Sequence, residues 1–203
     1  MAPKPGSRAV GIAASDGPEH SQLCGAVVRA DRAVEDFGFA RCTTGGTDAT
    51  AACVDLLARL ERPDAQWILL AGVAPAWFNL IDLDELHAAA DRPVIAVSFE
   101  ASDGLADPLR EHFSGEALQR RLATYRALPP RESVSVDDAE LWVRTVGIDT
   151  ADAADVLRAF SPDDSDRPEP LRVAQRAARA GRRQAERFGW DTAIESADEP
   201  TDN

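Results

Sequence analysis

Lysine is nearly missing from this 203-residue chain: Lys4 stands alone among 22 basic residues, and every other one is arginine. Cysteine is limited to Cys24, Cys42 and Cys53, an odd number with no CxxC pair. That excludes a disulfide framework and a thiolate zinc site of ordinary spacing, and it fits reduced, mostly buried thiols in a cytosolic protein. No apolar run approaches the length of a membrane span. The opening MAPKPGSR has no apolar core of the kind a secretory signal carries, so a soluble, cytoplasmic protein is expected.

Acid is what the chain has in excess. Thirty-five Asp and Glu residues against 22 basic ones leave a net charge of −13. An acidic, lysine-poor surface keeps a protein hydrated when salt has shortened the reach of charge repulsion to a few ångströms. The composition therefore predicts a halophilic protein working in a cytoplasm of very high salt. Net acidity argues against nucleic acid as a partner by default. In molar salt that argument weakens, and local basic patches count for more than the total.

The organising stretch is Trp67 to Glu100. An apolar run from Trp67 to Val73 is closed by Gly72 and Pro75. A helical segment follows with Leu80, Leu83, Leu86 and Ala90 near helical spacing, and Val94 to Phe99 forms a second buried strand. Two continuously apolar strands joined by a helix predict a parallel pair covered on both faces. The loop from Ala74 to Asn79 then lies at a carboxyl end, where α/β sheets bind ligands. Before this unit, strands are predicted at Arg8 to Ala14, Gln22 to Arg29 and Ala33 to Thr43. Short breaks join them into an antiparallel meander. A helix runs from Thr47 or Asp48 to about Leu60, with Ala52, Cys53, Leu56, Leu57 and Leu60 on one face.

After residue 100 the pattern predicts helices at Leu105 to Phe113 and Glu116 to Ala127, then a hairpin at Glu132 to Val136 and Glu140 to Val146. A helix from Asp149 to Phe160 follows, then a polar loop, Ser161 to Arg167. A last helix runs from Pro168 to about Phe188. Arg172, Arg176, Arg179, Arg183 and Arg187 share one face of it. Residues 1–7 and 191–203 are expected to be disordered tails around a single domain, 8–190, with an appended segment 101–190.

Four blocks in order, GIAASDG, GGTDATAA, LLAGVAPAWFNLIDL with RPVIAVS, and RPEPLRVA, resemble the archaeal endonuclease dU family. The resemblance spans about Gly11 to Ala174. It implies an α/β, ribonuclease H-like (endonuclease V-like) mixed sheet and a nuclease acting on DNA with deaminated bases, deoxyuridine in particular. It also implies divalent ions, Mg2+ or Mn2+, held by carboxylates. The chain departs from the family pattern where the first strand should end in two adjacent acids: the place reads Ser15-Asp16, with Ala13 and Ala14 before it. Gly45 stands where the family has an acid before its DAT block. Asp48, Asn79 and Asp82 remain.

Two-ion phosphodiester hydrolysis needs several converging carboxylates. Asp16, just past the first strand, and Asp48, after the Gly-Gly pair, are the candidate metal ligands; the plainer roles are an Asp-Gly turn and a helix cap. Asp82 and Glu169 stand behind them as catalytic candidates. Asp82 heads a capping-box-like D-L-D-E, and Glu169 opens the last helix. Trp77 and Phe78 are placed to stack on an extruded base and Asn79 to read its edge. Arg172, Arg176 and Arg179 are candidates for the phosphate backbone. The missing acids keep open an alternative: a catalytically degraded member acting as a nucleic-acid or protein binding module.

Overall fold

A computed structural model describes residues 3–162 and 167–189. The middle of the expected polar loop, 163–166, and the expected C-terminal tail, 191–203, lie outside the described residues. One seven-stranded mixed sheet has the order β3-β2-β1-β4-β5-β7-β6. Strands β1 (Arg8–Asp16), β2 (His20–Arg29) and β3 (Val34–Thr43) form the antiparallel meander. Both β1 and β2 run further toward the turn at Gly17 than the apolar pattern indicated, because cross-strand pairing continues to Asp16↔Ser21 after the side chains turn polar.

Helix α1 (Ala49–Leu60) leads to β4 (Ala65–Ala71), which pairs parallel with β1. A single turn, α2 (Pro75–Phe78), and helix α3 (Leu83–Ala90) lead on to β5 (Val94–Ser98), parallel to β4. Strands β1, β4 and β5 therefore all finish at one end of the sheet. Helices α4 (Ala106–His112) and α5 (Gly115–Ala127) precede the hairpin of β6 (Glu132–Val136) and β7 (Ala139–Val146). The hairpin is not set apart from the sheet: β7 pairs antiparallel with β5, and β6 forms the far edge. Helix α6 (Thr150–Phe160) and the long α7 (Glu169–Phe188) complete the chain.

The alternation of each strand sorts the core into two sides. Val10, Ile12, Leu23, Val27, Ile68 and Leu70 pack with Cys53, Leu56 and Leu83 beneath α1 and α3. On the other face Leu69, Ile95 and Val97 meet Val156, Leu157 and Phe160 of α6, and Ala13, Ala26 and Val28 meet Ala174 of α7. Small residues let α7 come close. A Cβ on Gly11 would sit 2.3 Å from the carbonyl carbon of Pro170, so β1 and the first turn of α7 can touch only with glycine there. Residues 3–7, expected to be disordered, are tied down where described. Ala30 N donates to Ser7 O at 2.8 Å and Asp31 N to Pro5 O at 3.0 Å.

Candidate functional site

The end of the sheet where β1, β4 and β5 finish carries the polar machinery. Asp16 closes β1. Its Oδ1 accepts from Ser21 Oγ at 3.0 Å and from the backbone N of Ala76 at 3.2 Å, which pins the α2 turn to the strand. Asp48 sits before α1, but its carboxylate does not cap that helix. It reaches back instead to Thr43, accepting from N at 3.1 Å and Oγ1 at 2.9 Å, and it accepts from Asn79 Nδ2 at 2.6 Å. Burial works to raise the Asp48 pKa, but the hydrogen bonds from Asn79 and Thr43 overcome it and hold the carboxyl below its usual range.

Asn79 is fully buried. Its Oδ1 accepts from Ala49 N at 2.9 Å, so the cap of α1 comes from 30 residues away, and its Nδ2 also donates to Thr43 O at 2.9 Å. A side chain this enclosed and this committed cannot read the edge of a base. The expectation for Asn79 is therefore corrected: it is the tie between β3, α1 and the α2 turn.

The turn that Asn79 ends is left-handed. Ala76, Trp77 and Phe78 have φ values of 52°, 52° and 63°. Non-glycine residues there cost about 1–2 kcal/mol each, so such a run persists only when its surroundings hold it. Several contacts do. Gly45 N donates to Ala76 O at 2.7 Å, Asn79 N to Pro75 O at 3.0 Å, and Ile81 N to Val73 O at 2.8 Å. Gly45 is required twice over: its φ is +71°, and a Cβ would lie 2.8 Å from the Trp77 ring.

Held this way, Trp77 is 49% exposed. Its ring centroid lies 5.9 Å from that of Phe78, 5.6 Å from His112 and 5.3 Å from Phe113. Arg121, 6% exposed, closes the cluster from α5. Its guanidinium lies 3.9 Å from the Phe113 ring centre, and its Nη2 donates to the carbonyls of Gly45 and, at 3.0 Å, Gly46. Among the described residues no carboxylate lies within ion-pair distance of it, and burial lowers its pKa from the usual arginine value. His112, Phe113 and Arg121 had no local signal in the sequence, since the Trp77 and Phe78 rings and the Gly45 and Gly46 carbonyls that they meet lie 34 or more positions away in the chain.

The other expected site residues are dispersed. Asp82 is a helix cap, accepting from Glu85 N at 3.0 Å. Glu169 sits at the start of α7 on the opposite face of the sheet from α1, where Arg172 holds it through two contacts of 2.6 Å. Arg172 is thereby engaged with an acid of its own helix. Arg176 and Arg179 face solvent and make no ion pair among the described residues. Asp16 and Asp48 do share an end of the sheet: Asp16 pairs with Ser21, Ser21 pairs with Cys42, and Asp48 holds the next residue, Thr43; burial first and then these two acids push the Cys42 thiol up to about 12. No group of three His, Cys, Asp or Glu side chains that could hold an ion forms among the described residues. Ala13, Ala14 and Ala71, at the strand ends, bring no ligand. The described residues thus do not fit a two-ion centre.

A mixed sheet with this meander, its parallel β1-β4-β5 core and polar strand ends defines a ribonuclease H-like, endonuclease V-like protein. Endonuclease V of Ciona intestinalis, in complex with a 24mer DNA containing an inosine followed by a ribo-adenosine, superimposes with a TM-score of 0.56. The two are 12% identical, and the match covers 88% of this chain and 86% of that one. A protein of unknown function from Archaeoglobus fulgidus matches with a TM-score of 0.76 at 23% identity, over 86% of this chain and 97% of that one. The chain belongs to the Endonuclease dU family, whose model matches residues 5–181. A UPF0215 protein of Pyrobaculum aerophilum is 33% identical over 173 residues, 83% of this chain and 88% of that protein. No helix among the described residues is long and apolar enough to cross a membrane.

Proposed function

We propose that this protein recognises deaminated bases in DNA, deoxyuridine in particular, by receiving the base at the Trp77 turn. The observation that carries this reading is the strained left-handed run Ala76-Trp77-Phe78, held by Asp16, Gly45 and Asn79 so that Trp77 stays half exposed in an aromatic cluster. Enzymes that handle single bases take them out of the stack and sandwich them between aromatic faces. Stacking of this kind contributes about 1–3 kcal/mol per base. The exposed Arg176 and Arg179 of α7 supply backbone contacts. Family membership and the DNA bound to the Ciona endonuclease V support a nucleic-acid partner.

Divalent-metal-dependent cleavage beside uracil is the second reading, and the shared end of Asp16 and Asp48 favours it. The absence of a third converging acid among the described residues ranks it below recognition. The test is a paired assay with uracil- and thymine-containing oligonucleotides, in potassium chloride with and without Mg2+ or Mn2+. Fluorescence anisotropy reads binding and a denaturing gel reads cleavage. Recognition predicts tighter binding of the uracil strand, a loss of roughly 1–3 kcal/mol of binding in Trp77→Ala, and no nicking. Equal affinity for the two strands sinks recognition. Nicking that Asp16→Ala with Asp48→Ala abolishes promotes the second reading to first.

A further inference from the structure

Beside the Trp77 turn lies a groove of about 800 Å³ that the base-handling reading does not use. Gly72, Val73 and Ala74 form its floor at the end of β4, directly before the turn, and Ser98 to Glu100 line it at the end of β5. Ligands of α/β sheets bind at such strand ends, and the size suits a nucleotide unit. Helix α4 is the shared wall: Leu105 and Ala106 line the groove and pack with Phe78 and Phe113 in the same cluster.

The groove gathers Arg131, Arg144 and Arg167 in a chain of net charge −13. Arg131 donates only to carbonyls, those of Ser102 at 3.1 Å and Glu100 at 2.5 Å, and lies 5.1 Å from the Trp142 ring centre. Arg144 donates to the Pro129 carbonyl and lies 5.4 Å from the Tyr125 ring centre. Among the described residues neither has a carboxylate within ion-pair distance, and both keep guanidinium N–H donors that these contacts do not use. Three acids line the same groove, and none of their carboxylates pairs with Arg131 or Arg144. Asp107 is taken by Arg110 at 2.5 Å, and Glu100 and Asp103 stand exposed. A half-buried cation whose plane is fixed by rings and carbonyls, with donors left over, is the arrangement that grips phosphate.

We propose that this groove is a phosphate site, in which Arg131 and Arg144 hold the phosphodiester of the strand whose base the Trp77 turn receives. The strand assignment rests on the recognition reading; the anion site does not.

The test titrates two ligands, a labelled single-stranded oligonucleotide carrying uracil or thymine, and free deoxyuridine monophosphate. The proteins are wild type, Arg131→Gln with Arg144→Gln, and the charge-keeping Arg131→Lys with Arg144→Lys; circular dichroism checks the fold of each. Expected is a loss of oligonucleotide affinity of about tenfold or more in the Gln pair, equal for uracil and thymine. The slope of log K against log salt should also become shallower by about one or two. The Lys pair should lose less, and it carries the test if the Gln pair fails to fold. Unchanged affinity for both ligands and an unchanged salt slope in folded variants overturn the proposal; loss confined to the free nucleotide keeps the anion site and overturns its assignment to the strand. If wild type binds no oligonucleotide, the recognition reading has failed, and the nucleotide decides alone. Binding that the Gln pair loses keeps the anion site, and no binding removes it.

Discussion

At the end of the sheet where β1 begins, arginines and acids meet directly. Arg8 reaches Glu35 at 2.7 Å and Asp64 at 3.0 Å, and Arg62 reaches the same two acids at 2.5 and 2.9 Å. At the end where β1, β4 and β5 finish, five charged side chains are instead placed by neutral groups. Arg121, Arg131 and Arg144 rest on carbonyls and rings, while Asp16 and Asp48 are held by hydroxyls, amides and Asn79. A charge paired with its opposite has its interactions satisfied within the protein. A charge positioned by neutral groups keeps most of its field for something else. The first end neutralises its own charges and the second, among the described residues, leaves several of its charges without an opposite partner, in one protein with one surplus of acid.

The comparison breaks most readily at Asn79, where positioning depends on a single side chain. Asn79→Leu removes three hydrogen bonds, one to a carboxylate, and leaves Ala49 N at the head of α1 and Thr43 O with a partner lost in the interior. The expected cost is about 2–4 kcal/mol, read as a lower urea midpoint. Asp16→Asn keeps an oxygen for Ser21 and Ala76 and should cost far less. Equal stability of Asn79→Leu and wild type would show that the turn holds itself, and the account of Trp77 given above would lose its support.

How much of this was legible beforehand divides along the same line. The element order follows from local signals: apolar alternation, helical spacing and glycine or proline breaks, each complete within about ten residues. The site depends on contacts that no window of that size contains. Nothing in Pro75-Ala76-Trp77-Phe78 announces positive φ, because none of these residues favours it; the conformation is imposed by Gly45, Asp16 and Asn79 from other elements. Asp48 has the position of a helix cap, yet Asn79 takes that work. Arg121 looks like any surface arginine of a helix until its carbonyl partners, 76 and 75 positions earlier, are seen. The departures at Ala13, Ala14 and Gly45 could be read directly, and they pointed to a weakened metal centre because a missing carboxylate is a local fact.

Salt acts on both ends in opposite senses. Raising potassium chloride from about 0.2 M to about 2 M screens the mutual repulsion behind the −13 charge but also weakens the exposed ion pairs. Exposed pairs are worth about 0.2–1 kcal/mol each, so relief of repulsion over the whole surface should win. The expected result is a Tm that rises with salt, by roughly 2–4 °C for each 1 kcal/mol gained. A flat or falling Tm overturns the halophilic reading of the composition.

The smallest effect belongs to the paired end, and its sign can be worked out. Hydrogen bonds from Arg8 first and Arg62 second hold the Glu35 carboxyl at about 2, against an ordinary value of 4.5. Asp64 is likewise held at about 2, with Arg62 as the main cause. A pKa depressed by folding contributes stability that is fully present above the unfolded value and is lost as the pH falls through the folded one. Wild type should therefore lose Tm between about pH 5 and pH 2. Glu35→Gln cannot titrate there, so its Tm should fall less steeply across that window while starting lower at pH 7. In molar salt the two profiles should converge, because the carboxylate is largely solvated and its pairs are screened. Parallel profiles at low salt would mean that the Arg8–Glu35–Arg62 pairing contributes nothing measurable, and that the two ends of the sheet differ in geometry without differing in energy.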